Sequence, residues 1–325
     1  MGPPMTALFA DLVGQPLAVS LLEAALRCDR IAPAYLLHGP HGVGRRLAAL
    51  RFLEGVLADG QPDSRQRRRL EARNHPDLLW VEPTYSHQGR LIPRSEAEEA
   101  GVNRRSPPQV RLEQIRELAR FLARQPLEAR RGLVVLEEPE AMAEAAANAL
   151  LKTLEEPGHG LLILVSAAPD RLLDTIRSRC QQIRCVRLSA EAMHQVLERL
   201  DPALSSSALE ALNQPDLAAL AAGSPGALLH HAAQWQAVPE ALRQRLEQPP
   251  QQPVEALALA REVTEALNGE QQLWLLAWWE QVRWRQQGLE RDLQRLQRLR
   301  QQLLAYVKPR LAWEVALLDL LVVNA

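Results

Sequence analysis

Five short apolar runs, separated by helical patterns and confined to residues before 189, constrain this chain more than any other feature. They are "AYLLHG" (34–39), "DLLWVE" (77–82), "GLVVLE" (132–137), "LLILVS" (161–166) and "QQIRCVRL" (181–188). The first, third and fourth are apolar on both faces, which suits interior strands of a parallel sheet covered by helices on each side. The last alternates and reads as an edge strand. Helical patterns occupy 15–28, 44–58, 109–125 and 145–156. In the third of these Leu112, Ile115, Leu118, Phe121 and Leu122 make one apolar stripe, the mark of a helix with a single buried face. Pro157 and Gly158 stop the fourth. The polar stretches 60–76 and 83–108 break the rhythm and read as surface excursions. The longer one is functional or mobile.

Beyond residue 188 strand signals vanish. Short helices run to about 232, and from 239 to 325 the pattern is helical throughout, with a long stretch at 270–307 and a terminal apolar helix. Leu289, Leu293, Leu296 and Leu303 recur at near-heptad spacing, Leu299 and Leu304 widen the stripe, and Trp274, Trp278 and Trp279 form an aromatic cluster. A seam inside a bundle and a contact with another subunit both fit such a stripe.

A net charge of −1 excludes a protein that holds nucleic acid by bulk charge and leaves only local patches. One such patch, Arg65, Arg67, Arg68 and Arg69, reads either as a contact for DNA phosphates or as a solvated helix face. Cys28, Cys180 and Cys185 have no C-x-x-C spacing and read as reduced thiols of a cytoplasmic protein. The first residues show neither a basic start nor a long apolar run, so no signal peptide and no membrane association are expected.

The loop "HGPHGVGRRL" (38–47) follows the first strand and opens a helix. Gly39, Gly42 and Gly44 let backbone N–H groups converge on phosphate oxygens at the helix N-terminus. Gly39 and Gly44 have the spacing of a phosphate-binding loop, but Arg45 stands where that motif has lysine and Arg46 where it has Ser or Thr. Lysine reaches the outer phosphates as a slim point charge, and the hydroxyl ligates Mg²⁺; a wide guanidinium does neither in the same way. The pattern marks descent from a nucleotide site rather than a working one. "GLVVLEEPEAM" carries the partner feature: Glu137 takes the position of the Mg²⁺-linked Asp and Glu138 that of the residue polarising the attacking water. Two exposed carboxylates at a strand end are the plainer alternative. His38 and His41 flank the loop turn with no third metal ligand in view.

"FADLVGQPLAVSLLEAALRCDRIAPAYLLHGPHGVG", "AANALLKTLEEP" and "TIRSRCQQIR" together resemble the bacterial DNA polymerase III clamp-loader family of AAA+ proteins, over residues 8–188 and in pattern only beyond. The resemblance implies an AAA+ α/β domain (1–188), a small helical lid (189–235) and an all-α C-terminal collar domain for oligomerisation (236–325). It implies a heteropentamer that places a sliding clamp on primed-template DNA, with motor ATPase subunits and a delta subunit as partners. Ser178-Arg179-Cys180 matches the family's SRC motif. Arg179 is thereby expected to act in trans as an arginine finger, with Ser178 beside it. Ser166 matches the sensor-1 position, and Ala227 stands where motor subunits have the sensor-2 arginine.

These losses make the chain a non-motor, non-hydrolysing member with a degenerate phosphate loop and degenerate carboxylate pair. A divergent motor ATPase in which Arg45 replaces lysine is the alternative. Binding of ATP and Mg²⁺ by this chain is not expected. Nor is zinc: the family's four-cysteine module would fall before the second strand, where this chain has His75 and no cysteine.

Overall fold

The computed structural model describes residues 7–87, 89–97, 99–102, 107–156, 158, 160–248, 250–287, 290–305 and 307–321; Pro157 and Leu289 lie outside them. Contacts divide the chain into two units that meet at Val196 and Leu197.

The first unit runs α1 (Pro16–Arg27), β1 (Ala34–His38), α2 (Arg45–Leu57), α3 (Ser64–Glu71), β2 (Leu78–Val81), β3 (Thr84–His87) and β4 (Arg90–Pro93). It continues with α4 (Leu112–Ala123), β5 (Leu133–Glu137), α5 (Glu144–Glu155), β6 (Leu161–Ser166), α6 (Asp174–Arg177), β7 (Gln181–Arg184) and α7 (Ala190–Glu198), the last reaching across the boundary. Five strands form one sheet in the order β2-β5-β6-β1-β7, every neighbouring pair parallel. The fully apolar runs became its centre: β6 is buried at every residue and β5 at all but Glu137. Ile115, Leu118 and Leu122 of the expected stripe are buried, while Phe121 is only partly covered. Each such side chain removed from water contributes about 1.5–3 kcal/mol.

The edge strand β7 is four residues shorter than its sequence pattern. Past it, the side chain of buried Gln15 takes over the backbone: its Oε1 accepts from the Val186 N–H (2.8 Å) and its Nε2 donates to the Val186 carbonyl (2.7 Å). A side-chain amide thus substitutes for a further pair of ladder bonds. The two excursions have structure of their own. The basic stretch contains α3, capped by Asp63, whose Oδ1 accepts from the N–H groups of Arg65 and Gln66. The second holds the antiparallel hairpin β3–β4. Asp77, just before β2, is itself buried and accepts three backbone N–H bonds from Leu127, Glu128 and Ala129 at 2.7–2.8 Å.

The second unit is helical: α8 (Pro202–Leu212), α9 (Pro215–Ala221), α10 (Pro225–Ala237), α11 (Glu240–Glu247), α12 (Pro253–Ala266), α13 (Gly269–Gln287), α14 (Glu290–Leu304) and α15 (Pro309–Leu321). Pro202, Pro215, Pro225 and Pro253 each open a helix, where the missing N–H costs nothing and the fixed φ is already helical. The stretch 270–307 is not one helix. Arg300 pairs with Glu280 and Arg283 with Asp292, so α14 folds back along α13. Leu296 and Leu299 are buried, whereas Leu293 and Leu303 are only partly covered and Leu304 is exposed. Trp274, Trp278 and Trp279 are all buried, but the ring contacts are made with other tryptophans: Trp279 stacks on Trp313 with centroids 6.2 Å apart, and Trp278 meets Trp235 edge-on at 5.3 Å. Their indole N–H groups are served as burial requires, Trp279 donating to the Leu246 carbonyl and Trp313 to Gln272.

Candidate functional site

In parallel α/β sheets ligands sit beyond the carboxyl ends of the strands, where the strand order reverses. Here that place is the end of β1, which lies between β6 and β7 although β2 follows it in the chain. The 39–44 loop occupies it. Gly39, at φ 146°, donates its N–H to the Ser166 carbonyl, and a Cβ there would run into the backbone carbonyl of Cys185. Gly42 and Gly44 also take positive φ, 74° and 100°, and Gly44 starts α2 with no side-chain cap. The loop therefore has the geometry its glycines imply.

A cleft of about 330 Å³ opens beside it, lined by His41, Gly42, Arg45, Arg46, Glu137 and Glu138. Arg45 is 8 % exposed. Its Nη2 lies 3.2 Å from His41 Nδ1, and its Nη1 has no hydrogen-bond partner. Burial pushes its pKa below the usual guanidinium value, opposed by the charge of Glu140. Arg46 turns the other way. Its Nε lies 3.6 Å from Glu137 Oε1, and its guanidinium covers Trp80 at 4.9 Å. Arg73 stacks on the same indole at 4.6 Å and pairs with Glu82. Burial raises the Glu137 pKa, with Arg46 opposing.

Glu138 sits at φ 47°, a conformation costly for a residue with a side chain and typical of functional sites. Its carboxylate pairs with Arg94, which follows β4. Ser166 is fully buried at the end of β6, level with His38, and its Oγ accepts from the Ala168 N–H. Glu140 accepts from the N–H groups of Ala167 and Ala168. The sequence reading missed Trp80, Arg73, Arg94 and Glu140. Glu140 alone left a signal, as the third acid of "EEPE".

The clamp-loader resemblance of the sequence implies a site of Mg²⁺ with a nucleoside triphosphate. The residues here do not fit the metal: Mg²⁺ requires an octahedron of oxygens, and the position that should supply a hydroxyl supplies a guanidinium held against Glu137.

Ser178 and Arg179 lie elsewhere. Gln181 is level with Tyr35 and Arg184 with His38, so Arg179, before β7, stands at the amino-terminal edge of the sheet, opposite the loop. Arg179 is exposed, donating to Glu155 Oε1 at 2.8 Å and to the Thr175 carbonyl at 2.9 Å. Ser178 is exposed and donates to the same carbonyl. Ala227 is in the second unit, its N–H capped by Ser224. Of the arginine run, Arg67 pairs with buried Glu54 and Arg69 with Glu128, leaving Arg65 and Arg68 exposed without an ion pair among the described residues. His75 is buried and accepts the Asp77 N–H. No group of three metal-ligating side chains occurs among the described residues.

A parallel sheet of this order, with a glycine loop after its first strand and a carboxylate pair at the end of its third, followed by helices, defines a parallel α/β protein with a glycine loop at its switch point and a helical C-terminal unit. A solved gamma subunit-related protein of DNA polymerase III from Thermotoga maritima has the same fold, with a TM-score of 0.54 at 19% identity over 92% of this chain and 98% of that one. The chain belongs to the DNA polymerase III delta-subunit family: the profile described as "DNA polymerase III, delta subunit" matches residues 14–189, and "Cyanobacterial DNA polymerase III delta prime, C-terminal domain" matches 191–320. It is 37% identical over 201 residues to DNA polymerase III subunit delta' of Pseudomonas aeruginosa, covering 60% of this chain and 54% of that protein. It is 32% identical over 193 residues to subunit delta' of Bacillus subtilis, covering 58% and 52%. The chain thus spans about half the length of these relatives.

Proposed function

We propose that this chain is a non-hydrolysing stator subunit of a replication clamp loader, which lends Arg179 in trans to the ATP site of a neighbouring motor subunit. The observation that carries this reading is the placement of Arg46 beside Glu137 and over Trp80, a half-exposed cation at the position where the motif has its Mg²⁺-ligating hydroxyl. Arg179 supports it from the other side. An exposed guanidinium at the opposite edge of the sheet from its own loop is available to a phosphate held by another chain, which it would meet bidentately. Assembly with motor subunits and a delta subunit, and delivery of the sliding clamp to primed DNA, follow from the same reading.

The test has two parts. The isolated chain should show no Mg²⁺-dependent ATP turnover; turnover would instead favour a divergent motor ATPase. In the reconstituted complex Arg179→Ala should lower ATP turnover by more than about twofold with assembly intact. Unchanged turnover would reduce Arg179 to a surface ion pair.

A further inference from the structure

We propose that the groove between α8 and α10 is a docking site for a peptide carboxylate, a chain terminus or an acidic side chain, with Arg243 as the group that receives it. The groove lies wholly within the second unit, and its ligand is separate from anything the stator reading requires.

Three observations carry it. The first is the lining. The groove encloses about 330 Å³, at the small end of the range for ligand sites and suited to a short peptide segment. Ala211 and Ala232, both buried, line it with small side chains and let a backbone approach closely. Ser207, Glu210 and Gln214 fall three or four residues apart along α8 and so share one face. Gln236 of α10 reaches across to them, its Nε2 donating to Ser207 Oγ at 2.8 Å. The two carboxamides carry donors and acceptors alike, the complement of a peptide backbone.

The second is Arg243 of α11. Its guanidinium stacks on Trp235 at 4.0 Å, and its Nη1 donates to the Trp235 carbonyl at 2.8 Å. That carbonyl belongs to the last turn of α10, so this half of the group is a helix cap. The cap does not account for the other half. Nε is buried without a partner, and Arg243 makes no ion pair among the described residues. Burial lowers its pKa, with Glu240 and Glu247 opposing only through space. Buried donors are nearly always paired, and a guanidinium meets a carboxylate with two parallel bonds. Stack and cap also fix the cation before any ligand arrives, which removes part of the ordering cost of binding.

The third is Glu210, exposed and without an ion pair among the described residues. A carboxylate in the lining of the same groove repels a polyanion such as nucleic acid, yet it can accept a peptide N–H. One unpaired cation with one carboxylate near it selects a single negative group carried on an amide chain.

Titration of the isotope-labelled full chain with N-acetyl-trialanine, followed at the indole N–H resonances, tests this. The resonance that Trp235→Phe removes should shift saturably, with a dissociation constant of about 0.1–1 mM. Arg243→Met, which keeps an apolar stem against Trp235, should weaken binding by about tenfold or more. Arg243→Lys should weaken it less, and Glu210→Gln should not weaken it at all. Should Arg243→Met fail to fold, the amidated trialanine must still bind the wild-type chain far more weakly than the free acid does. Acetyl-Ala-Glu-Ala-amide separates the two sources: binding comparable to or tighter than that of trialanine supports an acidic side chain, and much weaker binding supports a chain terminus. No shift with either carboxylate peptide at millimolar concentration, equal binding of the amidated trialanine, or wild-type affinity in both Arg243 variants overturns the proposal. Neither Arg179 nor the glycine loop takes part, so the outcome leaves the stator reading untouched.

Discussion

Glu155, in the last turn of α5, holds Arg179 across the surface at 2.8 Å. The partners are 52% and 37% exposed, so the pair contributes only about 0–1 kcal/mol to stability. Glu155→Ala should therefore change the unfolding free energy by less than about 1 kcal/mol, read from a denaturant melt. A substantially larger loss would make the pair part of the fold's framework, and Arg179 would then not be at another chain's disposal.

Gly39→Ala should be among the most damaging single changes in the loop. The new methyl meets a strand-end carbonyl, that of Cys185, at a φ of 146° that side chains rarely adopt. Strain and overpacking together should cost about 3 kcal/mol or more. Gly89→Ala, also at positive φ but with nothing within 4 Å, should cost about 1–2 kcal/mol. Equal costs in paired denaturant melts would show that the loop yields.

Arg51 is buried among Asp11, Glu71 and Glu54, the last with no exposed surface. Arg51→Ala leaves those carboxylates facing each other and should cost about 3–5 kcal/mol. Exposed Arg65 in α3 should tolerate the same change within about 0.5 kcal/mol. A small effect at Arg51 would mean that water readily replaces its guanidinium.

Acid should weaken the first unit through its buried histidines. Desolvation lowers the pKa of His38, His41 and His75 below 6.5, with Arg184, Arg45 and Arg69 respectively adding to it. The folded chain then binds fewer protons than the unfolded one, so stability present above the unfolded value is lost as pH falls from it through the folded value. Glu137, raised by burial, acts with the opposite sign, its contribution fading as pH rises through its folded value. In a Glu137→Gln background, the denaturant midpoint should be lower at roughly pH 5.5 than at roughly pH 7.5. Identical midpoints would contradict the histidine shifts.

What was legible in the sequence follows physical range. β6 matches its pattern residue for residue because a strand apolar on both faces has only one place to go. The loop glycines and Glu137–Glu138 were legible because their chemistry is set by spacing along the chain. β7 ran short because Gln15, far away in sequence, supplies its last backbone bonds. The 270–307 stretch turned out to be a hairpin because the ion pairs joining α13 to α14 are long-range, and heptad spacing cannot report where a helix turns back. The basic run read as a contact for DNA phosphates or a solvated helix face, yet Arg67 and Arg69 are spent on Glu54 and Glu128. Trp80 meets Arg46, and Arg94 meets Glu138, only because β2 pairs with β5 and the β3–β4 hairpin follows β2, a matter of strand order and not of local pattern.

Because Arg179 precedes β7 and the glycine loop follows β1, the two stand at opposite ends of the same sheet. On the proposed reading, a head-to-tail contact that brings Arg179 of one like-folded chain to the loop of the next propagates, as a ring or a spiral, with a definite sense of travel. In such a succession a member whose own loop takes no metal would give without receiving, and so would mark a terminus.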